Sequence, residues 1–519
     1  MTEETISRFS PILNNLLIRV KETNQFITPK DTKYCKIRPI DDKTIKIQVI
    51  FYYSLNILDL TLKRERGGFT LKIDDFQSAF VYHHADIYLG DRLLIGEIGG
   101  KERNHVGRTI KIPRQPTKRK VKGKVEHKIP EPGLNIAIWA PYFYESSWTI
   151  VARELTRSLR KVGINAYILP YTCRETNRDD PYLLPRDSCV ITQKDWQRYV
   201  TEYKIQIFIR LSHPDSFAIM NTARNTSPPP KLIGYSVVES DSINKNWVNG
   251  CNAMDAVWGT SRFTCEVYRR CGVKVPLYHV PHGVRTDIFT PERADPELRK
   301  RLGLEDKFVV LYVSRVDERK NLEALIKAYS QIETKNTYLV IHGDKLERHV
   351  KLIESLGIEN YLYTEDIQLR ETDKTGARIW GIPHEEMPKI YGLCLGKRRG
   401  VHVLPSHAEG FGLTVIEAGA MGVPSIAINW SALPEVIIDG VTGFLLPVSG
   451  YEPAAPLIRS GGNWACFTPE SLASRIRHLY KDRSLCRQMG LNAMNYIRET
   501  FTWENAALKA KESLLEVLS

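Results

Sequence analysis

Short apolar runs separated by amphipathic stretches dominate residues 134–519, and this pattern predicts an α/β fold. The runs are rich in β-branched residues and too short for helices, so each indicates a buried strand. Amphipathic segments of helical period follow them, as residues 148–162 follow residues 135–139. Strands that alternate with helices build parallel sheets. Further candidate strands are residues 165–169, 205–211, 231–238, 308–313, 337–342, 401–404 and 425–429.

Residues 1–130 have a different pattern. From Thr44 onwards, β-branched and aromatic residues alternate with polar ones, which predicts a small antiparallel β unit. Residues 12–20 have apolar positions at helical spacing and predict a short amphipathic helix. A basic linker, about residues 101–130, would join this β-rich accessory module to the rest of the chain. The module shows no cluster of catalytic residue types.

Length and composition indicate a globular protein with more than one domain. The chain has 519 residues, of which 42% are hydrophobic and 26% charged. It has no run of eighteen apolar residues and no apolar segment at its amino terminus, so we expect neither a transmembrane helix nor a signal peptide. The nine cysteines are scattered without a C-x-x-C pair, which favours free thiols in the cytoplasm and no zinc site.

The net charge of +13 is concentrated in one tract. Residues 101–128 contain eleven basic and two acidic residues, and residues 113–128 within them lack apolar periodicity. One interpretation is a solvated spacer, the usual role of such a tract. The other is contact with a polyanion: nucleic acid, an anionic membrane surface or a phosphorylated acceptor. The tract contains no aromatic residue, which weakens a role in stacking on single-stranded nucleic acid.

Residues 401–447 contain the densest candidate chemistry. A buried strand ends at Pro405, the loop after it carries Glu409, and the helix after the loop carries Glu417. Ligands bind beyond the carboxyl ends of the strands in doubly wound sheets. The free N–H groups at the start of the helix would favour a phosphate, Glu417 could reach a ribose diol, and Glu409 could bind sugar hydroxyls. Gly410 and Gly412 would let the backbone approach a ligand closely.

Two cations occupy the corresponding place after the first strand of the second sheet. Arg315 follows residues 308–313, and Lys320 lies five residues further on, before a helix expected to open at Asn321 or Leu322. Two fixed cations beside helix N–H groups would neutralise a diphosphate without a metal ion. Taken alone, this spacing is also that of a solvated surface pair, just as a lone pair of glutamates can be solvated charges.

The stretches PSHAEGFGLTVIEAGAMGVPSIA and LPEVIIDGVTGFLLP together resemble the donor site of the family 4 retaining glycosyltransferases. The E-x(7)-E signature of Glu409 and Glu417, the helix of small residues, the Pro-Glu pair and the Asp-Gly-x-x-Gly stand where that family has them. The resemblance covers about residues 134–519. It implies the α/β GT-B fold, with two Rossmann-like domains facing a cleft, and the small N-terminal β-rich module is an addition to it.

The change of sequence pattern after about residue 130 and the resemblance together predict a domain organisation. The accessory module with its linker would span residues 1–130, the acceptor-side Rossmann-like domain 131–290 and the donor-side domain 291–500. Residues 501–519 would form a helix that packs back on the acceptor-side domain. The apolar face expected to make this contact consists of Ala507, Leu508, Leu514, Leu515 and Leu518.

The implied reaction moves a hexosyl unit from a nucleoside diphosphate sugar to an acceptor hydroxyl, with retention and without a metal ion or other cofactor. Arg315 and Lys320 would stabilise the leaving diphosphate, Glu409 would orient the sugar, and Glu417 would hold the ribose. No Asp-x-Asp tract stands beside these strands to bind a metal. The remaining donor-binding candidates are Gly410, Phe411, Gly412, Leu413, Thr414 and, through its backbone beside the base, Ile382.

Candidates on the acceptor side follow from the same resemblance. His213, after residues 205–211, matches a histidine that the family often places near the donor sugar; a structural role is the alternative. Glu239 lies at the carboxyl end of another strand. Many family members have a glycine-rich loop where this chain has Ser146 and Ser147, whose hydroxyls are acceptor-side candidates or ordinary surface groups.

Two other classes of function stay open at this stage. The same scaffold carries sugar-nucleotide epimerases and phosphorylases, because a fold alone does not set an activity. The sequence indicates no pyridoxal phosphate lysine, which disfavours a phosphorylase. Alternatively, the β unit and the basic tract dock the protein on nucleic acid, where it glycosylates modified DNA or only binds it.

Overall fold

A computed structural model divides the chain into two compact units, Met1–His127 and Lys128–Ser519. It describes the backbone of the nine strands given below for the first unit. In the second unit it describes residues 133–142, 146–171, 183–184, 191–343, 347–364, 383–454 and 460–519.

The first unit contains two antiparallel sheets, so the predicted β-rich module is confirmed. One sheet has the strand order β2-β1-β7-β8, and the other has the order β3-β4-β5-β6-β9. The strands are β1 (Leu16–Val20), β2 (Gln25–Ile27), β3 (Cys35–Asp41), β4 (Thr44–Phe51), β5 (Asn56–Glu65), β6 (Gly68–Gln77), β7 (His84–Leu89), β8 (Arg92–Gly99) and β9 (Thr109–Pro113).

Two predictions for this unit were wrong. The short helix expected at residues 12–20 contains strand β1 instead, which pairs with β2 and β7. An apolar stretch this short contains too few residues for the spacing of its apolar positions to distinguish a helix from a strand. The basic linker expected at about residues 101–130 contains strand β9, which pairs with β6. The alternation of Ile110 and Ile112 with polar neighbours was the local signal for this strand.

The second unit begins with a parallel sheet of order β11-β10-β12-β13-β14-β15. Most residues of its strands are buried, as continuous apolar runs predict, and the edge strand β15 is half-buried. Helix α1 starts where the Ser146 hydroxyl accepts a hydrogen bond from the Thr149 N–H. The elements are β10 (Asn135–Ala140), α1 (Ser147–Lys161), β11 (Asn165–Pro170), α2 (Gln193–Thr201), β12 (Ile205–Leu211), β13 (Lys231–Ser236), α3 (Lys245–Asn252), β14 (Ala256–Gly259), α4 (Arg262–Arg270) and β15 (Leu277–His279), with 3₁₀ turns at Pro214–Asn225 and Pro291–Arg293.

A second parallel sheet has the order β18-β17-β16-β19-β20-β21, which is the Rossmann order 3-2-1-4-5-6. A two-stranded hairpin, β22 with β23, follows it along the chain. The elements are α5 (Pro296–Arg301), β16 (Phe308–Val313), α6 (Leu322–Ser330), β17 (Thr337–His342), α7 (Glu347–Ser355), β18 (Tyr361–Tyr363), α8 (Met387–Gly392), β19 (Gly400–Leu404), α9 (Leu413–Ala420), β20 (Ser425–Ile428), α10 (Leu433–Val436), β21 (Gly443–Leu446), β22 (Gly450–Pro453), β23 (Asn463–Cys466), α11 (Pro469–Lys481), α12 (Arg483–Thr500) and α13 (Trp503–Leu518), with 3₁₀ turns at Glu318–Lys320 and His384–Glu386.

The final helix α13 packs on the first of these α/β domains, as predicted, but only part of the predicted apolar face makes the contact. Trp503, Ala507 and Leu514 join the core of the β10 sheet. By contrast, Leu508, Leu515 and Leu518 are 49%, 46% and 37% exposed, so the apolar face expected from the sequence is only partly the buried one. No helix in the described part of the chain combines the length and apolar character needed to cross a membrane.

The two α/β domains contact each other where their strands end. The Thr260 hydroxyl, after β14, donates to the carbonyl of Gly410 in the loop after β19, at 2.8 Å. The carboxylate of Glu435, in α10, accepts hydrogen bonds from the N–H groups of Arg262 and Phe263 in the first turn of α4, both at 2.9 Å. A side chain of one domain therefore caps a helix of the other.

Candidate active site

A buried cluster of two cations and two carboxylates lies at the contact between the domains. Lys320 Nζ donates to Glu409 Oε1 at 2.5 Å. The guanidinium of Arg319 lies 3.1 Å from the same Glu409 oxygen and 3.0 Å from Oε1 of Glu239. Three of the four side chains are nine-tenths buried or nearly so, and Glu239 is 23% exposed. The opposite charges balance, so the cluster is neutral as a whole.

Each member of the cluster follows the carboxyl end of a parallel strand. Glu239 follows β13 in the first domain, whereas Arg319 and Lys320 lie on the 3₁₀ turn after β16 in the second. Glu409 lies in the loop after β19, the neighbour of β16 in the sheet. Parallel strands place their carboxyl ends along one edge, which is where such sheets bind ligands. The fold thus brings distant parts of the sequence together at the expected edge.

Electrostatics keep the Glu409 carboxylate ionised. Burial alone would raise its pKa, but the charges of Lys320 and Arg319 and the hydrogen bond from Lys320 outweigh burial and lower the pKa of Glu409 to about 2. Burial, together with the nearby charge of Arg319, lowers the pKa of Lys320 from its usual value. Charged groups held in fixed positions in this way can stabilise the charge that develops in the transition state of a reaction.

The cluster contains a cation that the sequence analysis missed. Arg319, rather than Arg315, is the arginine that contacts Glu409. The Arg315 side chain is 75% exposed and pairs with Asp317 at 3.7 Å. The predicted couple of Arg315 and Lys320 is therefore not brought together with Glu409 in this structure. Arg319 is adjacent to Lys320 in the sequence and was therefore an alternative. Arg315 was chosen instead because it lies directly after the strand, five residues before Lys320.

A second polar group surrounds Glu417 on α9. One carboxylate oxygen accepts from the Nε2 of His384 at 2.9 Å, and the other accepts from the Tyr391 hydroxyl at 2.7 Å. Burial opposes charge on His384, yet the hydrogen bond and the charge of Glu417 outweigh it, so the pKa of His384 is raised above its usual value. The sequence predicted Glu417 as a ribose ligand and did not predict its two protein partners.

Replacing His384 with glutamine should flatten the dependence of stability on pH above neutrality. A histidine whose folded pKa lies above the unfolded value of about 6.5 stabilises the fold fully below that value, and the stabilisation is lost as pH rises through the folded pKa. Melting temperatures of wild type and His384→Gln between about pH 6 and about pH 9 test this. Glu417→Gln removes the charge that raises the pKa, so it should flatten the curve too. Identical curves for wild type and His384→Gln would contradict the assignment.

The loop between β19 and α9 is shaped by its glycines. Gly412 has a φ of +105°, a backbone conformation that favours glycine, and it immediately precedes α9. A Cβ on Gly410 would lie 2.4 Å from the Cβ of Val237 in the first domain. The missing side chain of Gly410 therefore makes room for the other domain, where the sequence analysis expected room for a ligand.

The other predicted donor-binding residues lie at the start of α9 or beyond the described residues. Leu413 and Thr414 are half-buried and begin α9, and their N–H groups precede the first bonds of the helix, which Val415 and Ile416 make to the Gly412 carbonyl. The ring of Phe411 contacts the ring of His282, with centroids 4.9 Å apart. Ile382 is outside the residues that the structure describes.

The acceptor-side candidates occupy different environments. The His213 ring stacks on Trp247 at a centroid distance of 5.3 Å and meets the edge of Trp148 at 5.5 Å. The Ser146 hydroxyl caps α1 and so has a structural task, whereas Ser147 is exposed. Only Glu239 of these residues belongs to the ion cluster.

A cavity of about 800 Å³ lies away from the ion cluster, beside residues 285–288. Its charged lining is mostly paired: Arg157 with Glu154, Lys161 with Glu504, and Arg285 with Asp287. The ion cluster and the first turn of α9, rather than this cavity, hold the chemistry that the sequence analysis singled out.

The family profile described as glycosyl transferases group 1 matches residues 294–460. The match includes Arg319, Lys320, Glu409 and Glu417, which are the polar residues of the donor-side domain described above. Over residues 294–460 the chain is therefore similar to the group 1 glycosyltransferases. The recognition of a GT-B glycosyltransferase from the sequence is thereby confirmed, with the N-terminal module as an extension to it.

Relatives of the group 1 domain extend over about half of the chain. A GDP-mannose-dependent alpha-(1-6)-phosphatidylinositol monomannoside mannosyltransferase of Mycolicibacterium smegmatis is 32% identical over 277 residues, which are 51% of this chain and 63% of that enzyme. A D-inositol 3-phosphate glycosyltransferase of Corynebacterium diphtheriae is 27% identical over 240 residues, 44% of this chain and 47% of that enzyme. The chain thus spans less than two thirds of the length of these relatives.

Solved structures show the same fold over a longer part of the chain. Sucrose-phosphate synthase from Thermosynechococcus elongatus matches 74% of this chain and 99% of its own, with a TM-score of 0.57 and 19% identity. HepE from Anabaena, solved in complex with UDP and glucose, matches 74% of this chain and 100% of its own, with a TM-score of 0.55 and 16% identity. The predicted pair of Rossmann-like domains is confirmed.

Proposed function

We propose that this protein transfers a hexosyl unit from a nucleoside diphosphate sugar to an acceptor hydroxyl, with retention of the anomeric configuration and without a catalytic metal ion. The observation that carries the proposal is the buried Lys320–Glu409–Arg319 cluster, which lies at the contact between the two domains. The group 1 match and the names of the relatives supply the class of reaction. The cluster supplies the residues of this chain that would perform it.

Departure of the nucleoside diphosphate is the step whose transition state most needs stabilisation, because negative charge grows on the leaving phosphate as the sugar carbon becomes cationic. Among the described residues, Lys320 forms its ion pair with Glu409, at 2.5 Å, and a phosphate oxygen can replace or share that contact. The first-turn N–H groups of α9 add further donors at the same edge of the sheet. The buried Arg319, rather than the exposed Arg315, would supply the second cation for the leaving diphosphate.

The carboxylates would bind the two sugars of the donor. Glu409 stays ionised because its pKa is lowered to about 2, so it accepts hydrogen bonds from hydroxyls of the transferred hexose at any ordinary pH. Glu417 would hold the ribose diol, and His384 and Tyr391 fix the orientation of its carboxylate. The acceptor proton would pass to the leaving phosphate oxygen, so no strongly basic side chain is needed.

Two donor nucleotides deserve the first tests. One relative is named as GDP-mannose-dependent, and HepE was solved with UDP and glucose. GDP-mannose and UDP-glucose therefore head a panel of nucleotide sugars. An acceptor hydroxyl of a cyclitol or phosphoinositide follows from the names of the relatives and is proposed on the same footing.

The deciding experiment follows turnover of the panel by the full chain in the presence of EDTA, with the anomer of the product read by NMR. We expect an α-linked product from an α-linked donor, with an unchanged rate in EDTA. An inverted product would overturn the retaining mechanism, and loss of turnover that added Mg²⁺ or Mn²⁺ restores would overturn metal independence. Failure of every donor to react or to raise the melting temperature would overturn the nucleotide-sugar assignment.

The polyanion contact predicted for residues 101–128 has no support from the relatives and remains a sequence-based prediction. Apart from strand β9, that tract lies outside the described residues. Cytoplasmic location likewise remains a prediction.

A further inference from the structure

Three potential metal ligands meet beside the loop that carries Glu409. An imidazole nitrogen of His407, the Sγ of Cys466 and a carboxylate oxygen of Glu452 all lie within 4.8 Å of one another. The Nε2 of His407 is 3.5 Å from Oε1 of Glu452, and its Nδ1 is 3.8 Å from the Sγ of Cys466. We propose that these three residues bind a zinc ion, which fastens the β22–β23 hairpin to the loop after β19.

The hairpin places two of the ligands on one face. In its antiparallel register, Glu452 lies opposite Trp464, and Gly450 lies opposite Cys466. Opposite residues point to the same side, and so do alternate residues of one strand. Glu452, Trp464 and Cys466 therefore share a face, and the ring of His407 stacks on Trp464 with centroids 5.1 Å apart. The stacking holds the imidazole over the side of the hairpin that carries the thiol and the carboxylate.

A backbone contact orients the imidazole for metal binding. Nδ1 of His407 lies 2.9 Å from the carbonyl oxygen of Ala465, which can accept only if Nδ1 carries the proton. Nε2 then has a free lone pair, and it is the nitrogen that faces Glu452. Zinc-binding histidines usually donate their other N–H to a carbonyl or carboxylate in this way.

The distances suit zinc. With metal bonds of about 2.0–2.3 Å and tetrahedral angles, ligand atoms of a zinc site lie about 3.5 Å apart. The 3.5 Å between Nε2 of His407 and Oε1 of Glu452 matches this spacing, and the three ligand atoms lie within 4.8 Å of one another, so small side-chain movements suffice to close the site. A thiolate with an imidazole favours zinc over Mg²⁺ or Ca²⁺, which prefer oxygen ligands. Glu452 is 48% exposed, so water can reach a fourth position.

The site is distinct from the proposed catalytic cluster but is connected to it. His407 precedes Glu409 by two residues. The backbone N–H of His407 donates a hydrogen bond to the backbone carbonyl of Arg319 at 2.9 Å. At the other end of the hairpin, Asn463 donates to Asp241 of the first domain through its N–H at 2.8 Å and its side chain at 3.0 Å. A zinc ion here would hold the Glu409 loop, the hairpin and the first domain in one arrangement without touching the reacting atoms.

The sequence predicted no zinc site, because its cysteines form no C-x-x-C pair. In this site the ligands come from a loop and from two strands of a hairpin, with only one cysteine. Their spacing along the chain follows no metal-binding motif, and only the fold brings them together.

The test titrates zinc into the tag-free, chelator-stripped full chain against a chromophoric competitor. We expect wild type to bind one equivalent more than Cys466→Ser and than His407→Gln. Cys271→Ser, which replaces another half-buried free cysteine outside the cluster, is the matched control and should bind as wild type does. Equal zinc stoichiometry for wild type and both ligand variants would overturn the proposal.

A second measurement does not depend on the variants folding. Cobalt(II) bound in place of zinc gives intense visible bands in a tetrahedral site and a near-ultraviolet band when a thiolate is a ligand. We expect both in wild type, together with a rise in melting temperature on adding zinc. A cobalt complex without the thiolate band would overturn Cys466 as a ligand. Turnover well below the melting temperature should persist in EDTA, which separates this site from the proposed catalytic chemistry.

Discussion

Glu409→Gln is expected to destabilise the second unit by about 3 kcal/mol, because breaking a buried ion pair leaves the other charges uncompensated. The change keeps the size of the side chain but leaves Lys320 and Arg319 with Glu239 as the remaining anion of the cluster. Transfer should fall about a hundredfold or more, since the sugar loses a fixed acceptor and the cations lose their fixed positions. Chemical denaturation and initial rates measure the two effects separately.

A double-mutant cycle isolates the pair. Lys320→Met removes the partner cation, and the double variant Glu409→Gln/Lys320→Met should be less destabilised than the sum of the two single variants. The exposed pair of Lys327 with Glu323 supplies the control, because Lys327→Met should cost about 0.5 kcal/mol or less. Strict additivity of Glu409→Gln and Lys320→Met would contradict a shared ion pair.

The same carboxylate makes a pH dependence with a definite sign. Its folded pKa of about 2 lies below the ordinary value, so it stabilises the fold fully above about pH 4.5 and the stabilisation is lost as pH falls towards 2. Glu409→Gln should be less stable than wild type at neutral pH, and the difference should shrink in acid. A constant difference from neutral pH into acid would contradict the lowered pKa.

Among substitutions that add one methyl group to the loop between β19 and α9, Gly410→Ala is expected to be the most damaging. The new Cβ would lie 2.4 Å from the Cβ of Val237 and 3.0 Å from one of its methyl groups, so the loop and the first domain must move apart. Overpacking of this kind costs about 1–3 kcal/mol. The movement would also strain the hydrogen bond from Thr260 to the Gly410 carbonyl and displace the adjacent Glu409, so transfer should fall along with stability.

Two variants separate this clash from a general effect of alanine. Gly450→Ala adds the same methyl group where no heavy atom lies within 4 Å, and it should be neutral. Val237→Gly removes the atoms that Gly410→Ala would meet, so the double variant should recover turnover relative to Gly410→Ala alone. Full activity of Gly410→Ala would show that the domains are not held this closely during the reaction.

The β-strands and helices of the second unit could be predicted closely because their apolar runs are continuous. Strands β12, β16 and β17 have the bounds expected from the sequence, and helix α9, which carries Glu417, follows the loop of Glu409 as expected. Local signals suffice there: a buried strand is apolar on both faces, and turn residues mark its ends. Glu409 and Glu417 could be located too, because Glu409 lies in the loop after a predicted strand and Glu417 lies on the helix after that loop.

The partners of those glutamates could not be predicted. Tyr391 and His384 reach Glu417 from separate elements, and Glu239 reaches Arg319 from the other domain. Such contacts depend on which strand ends lie side by side in the folded protein. A local sequence pattern does not give this arrangement. Leu508 and Leu515 were assigned to the packed face of α13 because leucine is apolar, yet the smaller Ala506 and Ala510 are the residues buried in the core of the first domain.

The capping of α4 by Glu435 ties domain separation to the end of a helix. If the cleft widens to admit an acceptor, the N–H groups of Arg262 and Phe263 lose the carboxylate that now satisfies them. Water, or an oxygen atom of the entering molecule, must then take up both donors. The open form would therefore expose a pair of aligned N–H groups that the closed form conceals, and reclosure would expel whatever had bound them.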